Sequence, residues 1–121
     1  MTIDQSRLRH LTESLLVKNK ESLKQFEITS VKKEKVDFEM EIKPFADEVK
    51  YLTDEWFPLA IAFVENTGPK YLHKNQLEDI EENIQIEAVT CFQVDTKKKR
   101  FIERNKSIAY TLTNLLQALN K

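Results

Sequence analysis

Few residues in this chain have the types and spacing that catalysis or metal binding requires. Metal-binding helical bundles use Glu-x-x-His pairs on facing helices, but Arg7 and Lys70 stand three residues before the two histidines, His10 and His73. There is also no His-Glu-x-x-His segment. Cys91 is predicted to lie on an apolar helix face, where burial raises the pKa of a thiol and makes it inert. The sequence therefore predicts no metal, no cofactor and no catalytic residue.

The single glycine, Gly68, excludes the common phosphate-binding loops. A Walker A loop and a G-x-G-x-x-G turn both need several glycines, so neither motif can exist here. An enzyme would also need convergent polar groups in a pocket, which no spacing in the chain provides. Enzymatic activity therefore ranks below a binding role.

Two groups of residues could instead bind an anion or a partner. The first group is basic and comes from two predicted connections: Lys32, Lys33, Lys97, Lys98, Lys99 and Arg100. Its simpler interpretation is that lysines solvate the connections. The second group is Tyr71, His73 and Lys74, at the predicted start of a helix, where free N–H groups favour anions. Its simpler interpretation is local packing and capping of that helix.

The elements that position these residues are predicted to be helices. A β-rich fold of 121 residues needs many positions with positive φ, and this chain has one glycine to supply them. Apolar residues recur at helical spacing in four segments, which begin and end near Ile3 and Phe26, Val36 and Asn66, His73 and Val94, and Lys99 and Leu119. The sequence predicts one domain over residues 1–121, an all-α, antiparallel, up-and-down four-helix bundle.

Proline and glycine residues indicate where these helices end or bend. Gly68 followed by Pro69 predicts the end of helix 2. Pro44 lies inside the long second segment, so we expect that helix to be broken or kinked within about four residues of it. Pro58 is a second candidate for a kink. Thr2 is predicted to cap helix 1, with Gln5 completing the capping box.

The apolar stripes predict a core made of Leu8, Leu11, Leu15, Ile61, Leu77, Ile80, Ile84, Ile108, Leu112 and Leu115. Trp56 is expected to be a further core anchor. Asn105 interrupts the most regular stripe, and it either forms buried hydrogen bonds or lies near the end of the bundle and contacts water. Ile86, Val89 and Tyr110 lie off the stripes, so each is either contacted within the bundle or part of an exposed patch.

Several segments resemble a known family. They are Gly68 to Leu77, Lys43-Pro44, Trp56, Lys98 to Phe101, and Ser107 to Leu112. In this order and at these separations, over roughly residues 43–112, they are similar to the YppE-like family of small uncharacterised proteins from Gram-positive bacteria. The resemblance implies an all-helical bundle and a cytoplasmic bacterial protein, and it implies no activity.

The function expected from the sequence is a non-enzymatic cytoplasmic module for protein interaction or regulation. The alternatives are a bundle that binds a small ligand or nucleic acid, and then an enzyme. The partner is an unknown protein, a homodimer is a further option, and a net charge of −1 argues against nucleic acid. A membrane role is not expected, because the longest apolar stretch is far shorter than the ~20 residues of a membrane helix.

An up-and-down bundle also predicts how charge is distributed. The first and third connections lie at the same end, so Lys32, Lys33 and Lys35 should meet the run from Lys97 to Arg100 there. The acids of helix 3 (Glu78, Asp79, Glu81 and Glu82) should lie toward the opposite end. One end of the molecule should therefore be basic.

Overall fold

The four predicted helices are present in a computed structural model that describes residues 5–120. They are α1 (Gln5–Lys32), α2 (Lys43–Thr67), α3 (Lys74–Thr90) and α4 (Lys98–Leu119). Each helix packs against the next along the chain, and α4 packs against α1 to close the ring. This arrangement confirms the up-and-down four-helix bundle. None of the described helices combines the length and hydropathy needed to cross a membrane.

The second helical segment changes its winding beside Pro44. A short π-helical turn, Phe38–Ile42, leads directly into α2, with the Asp37 side chain accepting a hydrogen bond from the Met40 amide at 2.8 Å. Pro44 then lies in the first turn of α2, where the fixed φ of proline is compatible with a helix. The second helix is joined across Pro44, and a change of helix type stands where the sequence predicted a break or kink. Farther along, α2 continues through Pro58.

Two helix ends differ from the prediction. Helix α1 continues past Phe26 to Lys32, because Thr29 is buried and its hydroxyl lies 2.9 Å from the carbonyl oxygen of Cys91. Helix α3 ends at Thr90 rather than Val94, since the chain turns there to bury Phe92. Gly68 ends α2 in the left-handed conformation, as predicted. The Thr2 cap lies outside the described residues.

The core consists of two apolar clusters. The larger one contains the predicted core residues except Ile61, which is only partly buried at its edge. Trp56 is fully buried there, and its indole Nε1 donates to the Thr12 hydroxyl at 3.0 Å. The smaller cluster consists of Phe26, Cys91, Phe92 and Phe101, with the rings of Phe26 and Phe101 stacked 4.3 Å apart.

Candidate functional site

Three polar side chains from three helices meet between the two apolar clusters. Asn19 of α1, Glu87 of α3 and Asn105 of α4 are all buried, and we call them the polar layer. Asn105 Nδ2 donates to Glu87 Oε1 at 2.5 Å and to the Asn19 backbone oxygen at 2.9 Å. Asn19 Nδ2 donates in return to the Asn105 backbone oxygen at 3.3 Å. The layer therefore joins α1, α3 and α4 through side-chain hydrogen bonds.

The geometry of the layer fits a protonated Glu87. Burial raises the pKa of its carboxyl to about 8, against a weaker opposing effect of the Asn105 hydrogen bond. Glu87 Oε2 lies 2.8 Å from Asn19 Oδ1, a contact that repels if both oxygens are bare and bonds if Oε2 carries a proton. If Glu87 were ionised, the Asn19 amide would have to turn over so that its nitrogen faces the carboxylate.

The polar layer also decides the question left open for Asn105, which forms buried hydrogen bonds. Glu87, the acidic member of the layer, is fully buried. Sequence reasoning missed Glu87 and Asn19, although both lie on apolar stripes. Asn19 stands on the α1 stripe between Leu15 and Phe26, at a position where helical spacing predicts an apolar residue. A polar residue at such a position could have indicated a buried hydrogen bond.

Cys91 is buried in the smaller cluster, as expected. Burial raises the pKa of its thiol to about 12, so the thiolate that reacts with electrophiles or metals is scarce at neutral pH. Within residues 5–120 no three His, Cys, Asp or Glu side chains are grouped as metal ligands.

The basic connections lie at one end of the bundle. There α1 and α3 end and α4 begins, and Lys32, Lys33, Lys35, Lys97, Lys98, Lys99 and Arg100 are all exposed. We call this group the basic end. The first connection and the π-helical turn also carry the acids Glu34, Asp37, Glu39 and Glu41, and the third connection carries Asp95. The basic character therefore concentrates on the side of α1 and α4, away from the π-helical turn that leads into α2.

A groove of about 510 Å³ lies between α1 and α4 at the basic end. Its apolar residues are Leu23, Phe26, Val31 and Ile102; its polar and charged residues are Glu27, Ser30, Lys98, Asn105 and Lys106. We call it the α1–α4 groove. Val31 is 84% exposed. The groove thus combines apolar area, two cations, one acid and a member of the polar layer.

The other residues singled out from the sequence do not form one surface. Tyr110 is exposed and Ile86 is more exposed than Val89, which is partly buried. Ile86 lines a hollow with Arg100 and Arg104, whereas Tyr110 lines a cavity near the opposite end of the bundle. No contiguous patch joins the three.

The second candidate group, Tyr71, His73 and Lys74, does not form one site either. Tyr71, His73 and Lys74 are all exposed. The His73 amide donates to Gln76 Oε1 at 2.6 Å, so this residue belongs to the cap of α3, as its simpler interpretation predicts. Leu72 is buried in the core beside Leu77. Only Tyr71 of the three lines the cavity that contains Tyr110.

Fold and surface together define an all-helical bundle with a buried acid and a basic groove. The chain belongs to the family described as a bacterial domain of unknown function (DUF1798), whose model matches residues 12–119. The resemblance seen from the sequence is thereby confirmed, and it extends over α1.

Relatives in three bacteria support this assignment. The uncharacterised protein YppE of Bacillus subtilis is 33% identical over 76 residues, which are 63% of this chain and 62% of the length of YppE. The crystal structure of a Listeria innocua protein of unknown function matches with a TM-score of 0.91 and 32% identity, over 96% of this chain and 93% of that one. A Staphylococcus aureus protein of the same family matches with a TM-score of 0.85 and 27% identity, over 93% and 95% of the two chains.

Proposed function

We propose that this protein is a non-enzymatic cytoplasmic interaction module that binds an acidic amphipathic helix of a partner protein in the α1–α4 groove. The observation that carries the proposal is the meeting of exposed apolar side chains and cations at one end of the bundle. Half of the exposed large apolar residues of the described chain lie at this end: Val31 lines the groove itself, whereas Ile28, Phe38, Met40 and Val94 lie outside it.

The shape of the groove favours a helical partner. It runs between two helices, with Leu23, Phe26 and Val31 on the α1 side and Ile102 on the α4 side. An amphipathic helix buries its apolar anchors in grooves of this kind. Lys98 and Lys106 on the α4 side would then face the polar flank of the bound helix.

The charge around the groove favours an acidic partner. Lys98 and Lys106 line the groove beside one acid, Glu27. Lys98 belongs to a run of four cations, Lys97 to Arg100, at the start of α4, where the helix dipole disfavours positive charge by about 0.3–1 kcal/mol each. A partner with carboxylates at this position would offset that cost and would be steered toward the groove from a distance. Lys97 has no capping hydrogen bond from its side chain, so the first turn of α4 also has free N–H groups for such carboxylates.

Asn105 gives the groove a point of specificity. Its Nδ2 is held by the polar layer, whereas its Oδ1 accepts no hydrogen bond from any residue within 5–120. A donor on the partner that enters the groove could bind this oxygen. A partner without such a donor would leave the oxygen covered and unsatisfied, which costs binding energy.

The test is capture of host proteins by the folded protein with its charges reversed. We expect the triple variant Lys98→Glu, Lys99→Glu, Arg100→Glu to lose the partner, and wild-type capture to weaken as salt rises. A matched control reverses Lys50, Lys70 and Lys74, which are exposed and lie away from the groove. Cross-linking from a cysteine introduced at Val31 then identifies the bound segment.

Each outcome of this experiment decides the proposal. Loss of capture in the groove variant alone, with an acidic helical segment cross-linked to position 31, supports it. Equal capture by wild type and a folded groove variant, or equal loss in both triple variants, would rule out the groove as the docking site. Circular dichroism confirms that each variant is folded.

A further inference from the structure

A second concave site lies at the end of the bundle opposite the α1–α4 groove. It has a volume of about 490 Å³ and is formed by the start of α1, the end of α2, the connection to α3 and the last turns of α4. The residues that matter for its chemistry are Lys70, Tyr71, Tyr110, Asn114 and Gln117. We call it the tyrosine cavity. Its volume falls in the range of about 300–1,000 Å³ that small-ligand sites occupy.

The two tyrosines hold their rings in the solvent rather than against the protein. Tyr71 is 77% exposed and Tyr110 is 65% exposed. Neither ring stacks on another ring within residues 5–120, and the two do not contact each other. Exposed phenol rings beside a cavity offer faces on which a planar ligand can stack.

The backbone of Tyr71 is strained in a way that directs its ring. Its φ is 65°, in the left-handed region that disfavours a residue with a side chain. The next residue, Leu72, is buried in the core, so the chain adopts this conformation to bury Leu72 and turns Tyr71 outward. Glycine would satisfy the same backbone without strain, yet this chain has tyrosine there.

The polar groups of the cavity are free for a ligand. The side-chain amides of Asn114 and Gln117 make no hydrogen bond to any residue in the described part of the chain, so they can form hydrogen bonds with the edge of a heterocyclic ring. Lys70 carries the only charge among the described residues that line the cavity. The described lining of the cavity therefore carries a single positive charge, although the whole chain has a net charge of −1.

From these observations we infer that the tyrosine cavity binds a small anionic heteroaromatic molecule. The tyrosines stack on the ring of the ligand, and the side-chain amides of Asn114 and Gln117 form hydrogen bonds with its edge. Lys70 forms an ion pair with its anionic group. This inference is independent of the proposed docking groove, because the two sites lie at opposite ends of the bundle and share no lining residue.

The probe is adenosine monophosphate, added to the isotope-labelled full-length protein and followed by NMR. We expect shifts around Tyr71 and Tyr110, about tenfold weaker binding of adenosine without its phosphate, and weaker binding still of inorganic phosphate alone. Tyr110→Ala should weaken binding about tenfold, as loss of one stacking contact does. The control is Tyr51→Ala, since Tyr51 is equally exposed and lies away from the cavity.

Tyr71→Gly separates ligand binding from folding. It should weaken binding about tenfold while the thermal midpoint stays the same or rises, because glycine relieves the strained backbone. The inference is overturned if the nucleotide leaves the signals around both tyrosines unchanged, if inorganic phosphate binds as tightly as the nucleotide, or if Tyr51→Ala weakens binding as much as Tyr110→Ala.

Discussion

The two ends of the core satisfy their buried polar groups in different ways. In the larger cluster the buried hydroxyls bond to the backbone of their own helices, Thr12 to Leu8 at 2.7 Å and Thr53 to Val49 at 2.6 Å, and one bond crosses between helices, from Trp56 Nε1 to the Thr12 hydroxyl. Toward the basic end, the polar layer bonds across helices, and the Thr29 hydroxyl lies 2.9 Å both from the Gln25 carbonyl oxygen of its own helix and from the Cys91 carbonyl oxygen. A bond within one helix places no constraint on its neighbours, whereas a bond between helices is broken when one helix slides or rotates.

This difference suggests separate roles for the two regions. The larger cluster supplies apolar burial, the main favourable term in folding. Buried polar networks between helices add little net stability, but in coiled coils a single buried asparagine fixes register. We therefore expect the polar layer to fix the register of α1, α3 and α4 beneath the groove, so that its two walls keep a constant separation.

The largest effect should come from truncation in the larger cluster. Leu112 is fully buried, and Leu112→Ala should lower the free energy of unfolding by about 2–5 kcal/mol through lost burial and the cavity left behind. Ile61→Ala is the control, because Ile61 is only partly buried and its neighbours can relax into solvent. Urea denaturation measures both. Equal losses would contradict the assignment of Leu112 to the core.

A smaller effect should be a pH dependence of the free energy of unfolding, caused by Glu87 in the polar layer. The pKa of Glu87 is about 8 in the folded protein, above its ordinary value of 4.5, so the folded state binds this proton more tightly than the unfolded state. Its contribution to stability is complete below about pH 4.5 and is lost as pH rises toward 8. Between pH 5 and 8 the free energy of unfolding should fall by about 3 kcal/mol on this account.

Glu87→Gln isolates that contribution. The amide is neutral at every pH, its nitrogen can donate to Asn19 Oδ1, and its oxygen can accept from Asn105, so the layer stays intact. We expect this variant to match the wild type near pH 5 and to be more stable at pH 8. Parallel stability curves for the two proteins between these pH values would show that Glu87 is ionised in the folded state.

How far the sequence predicts this molecule depends on the kind of interaction. Leu77, Ile80 and Ile84 follow helical spacing, which one chain segment reveals by itself, so the bundle and its main core were predictable. The polar layer was not, because the environment of Glu87 depends on which residues of α1 and α4 face it. The same holds for the tyrosine cavity: the positive φ of Tyr71 results from burial of Leu72, and no local pattern shows that Tyr110 lies nearby.

The length of α1 also depends on a contact between helices, the one between Thr29 and Cys91. Removing this contact should have the smallest effect on stability, and it tests most directly the difference between the two ends of the core. Thr29→Val keeps the shape of the side chain and removes the hydroxyl that lies 2.9 Å from the Cys91 carbonyl oxygen. We expect a loss of about 0.5–1.5 kcal/mol, because the buried Cys91 carbonyl loses a hydroxyl whose single proton it shares with the Gln25 carbonyl of α1.

Thr53→Val provides the matched control within the larger cluster. The Val49 carbonyl that its hydroxyl contacts lies in the interior of α2 and keeps its own helical hydrogen bond, so stability should change little. Hydrogen exchange should also quicken in the last turn of α1 in Thr29→Val alone, since the contact with Cys91 holds residues 29–32 in the helix. If the two variants lose the same stability and α1 exchanges at the same rate in both, bonds between helices matter no more here than bonds within one helix, and the contrast between the two ends of the core does not hold.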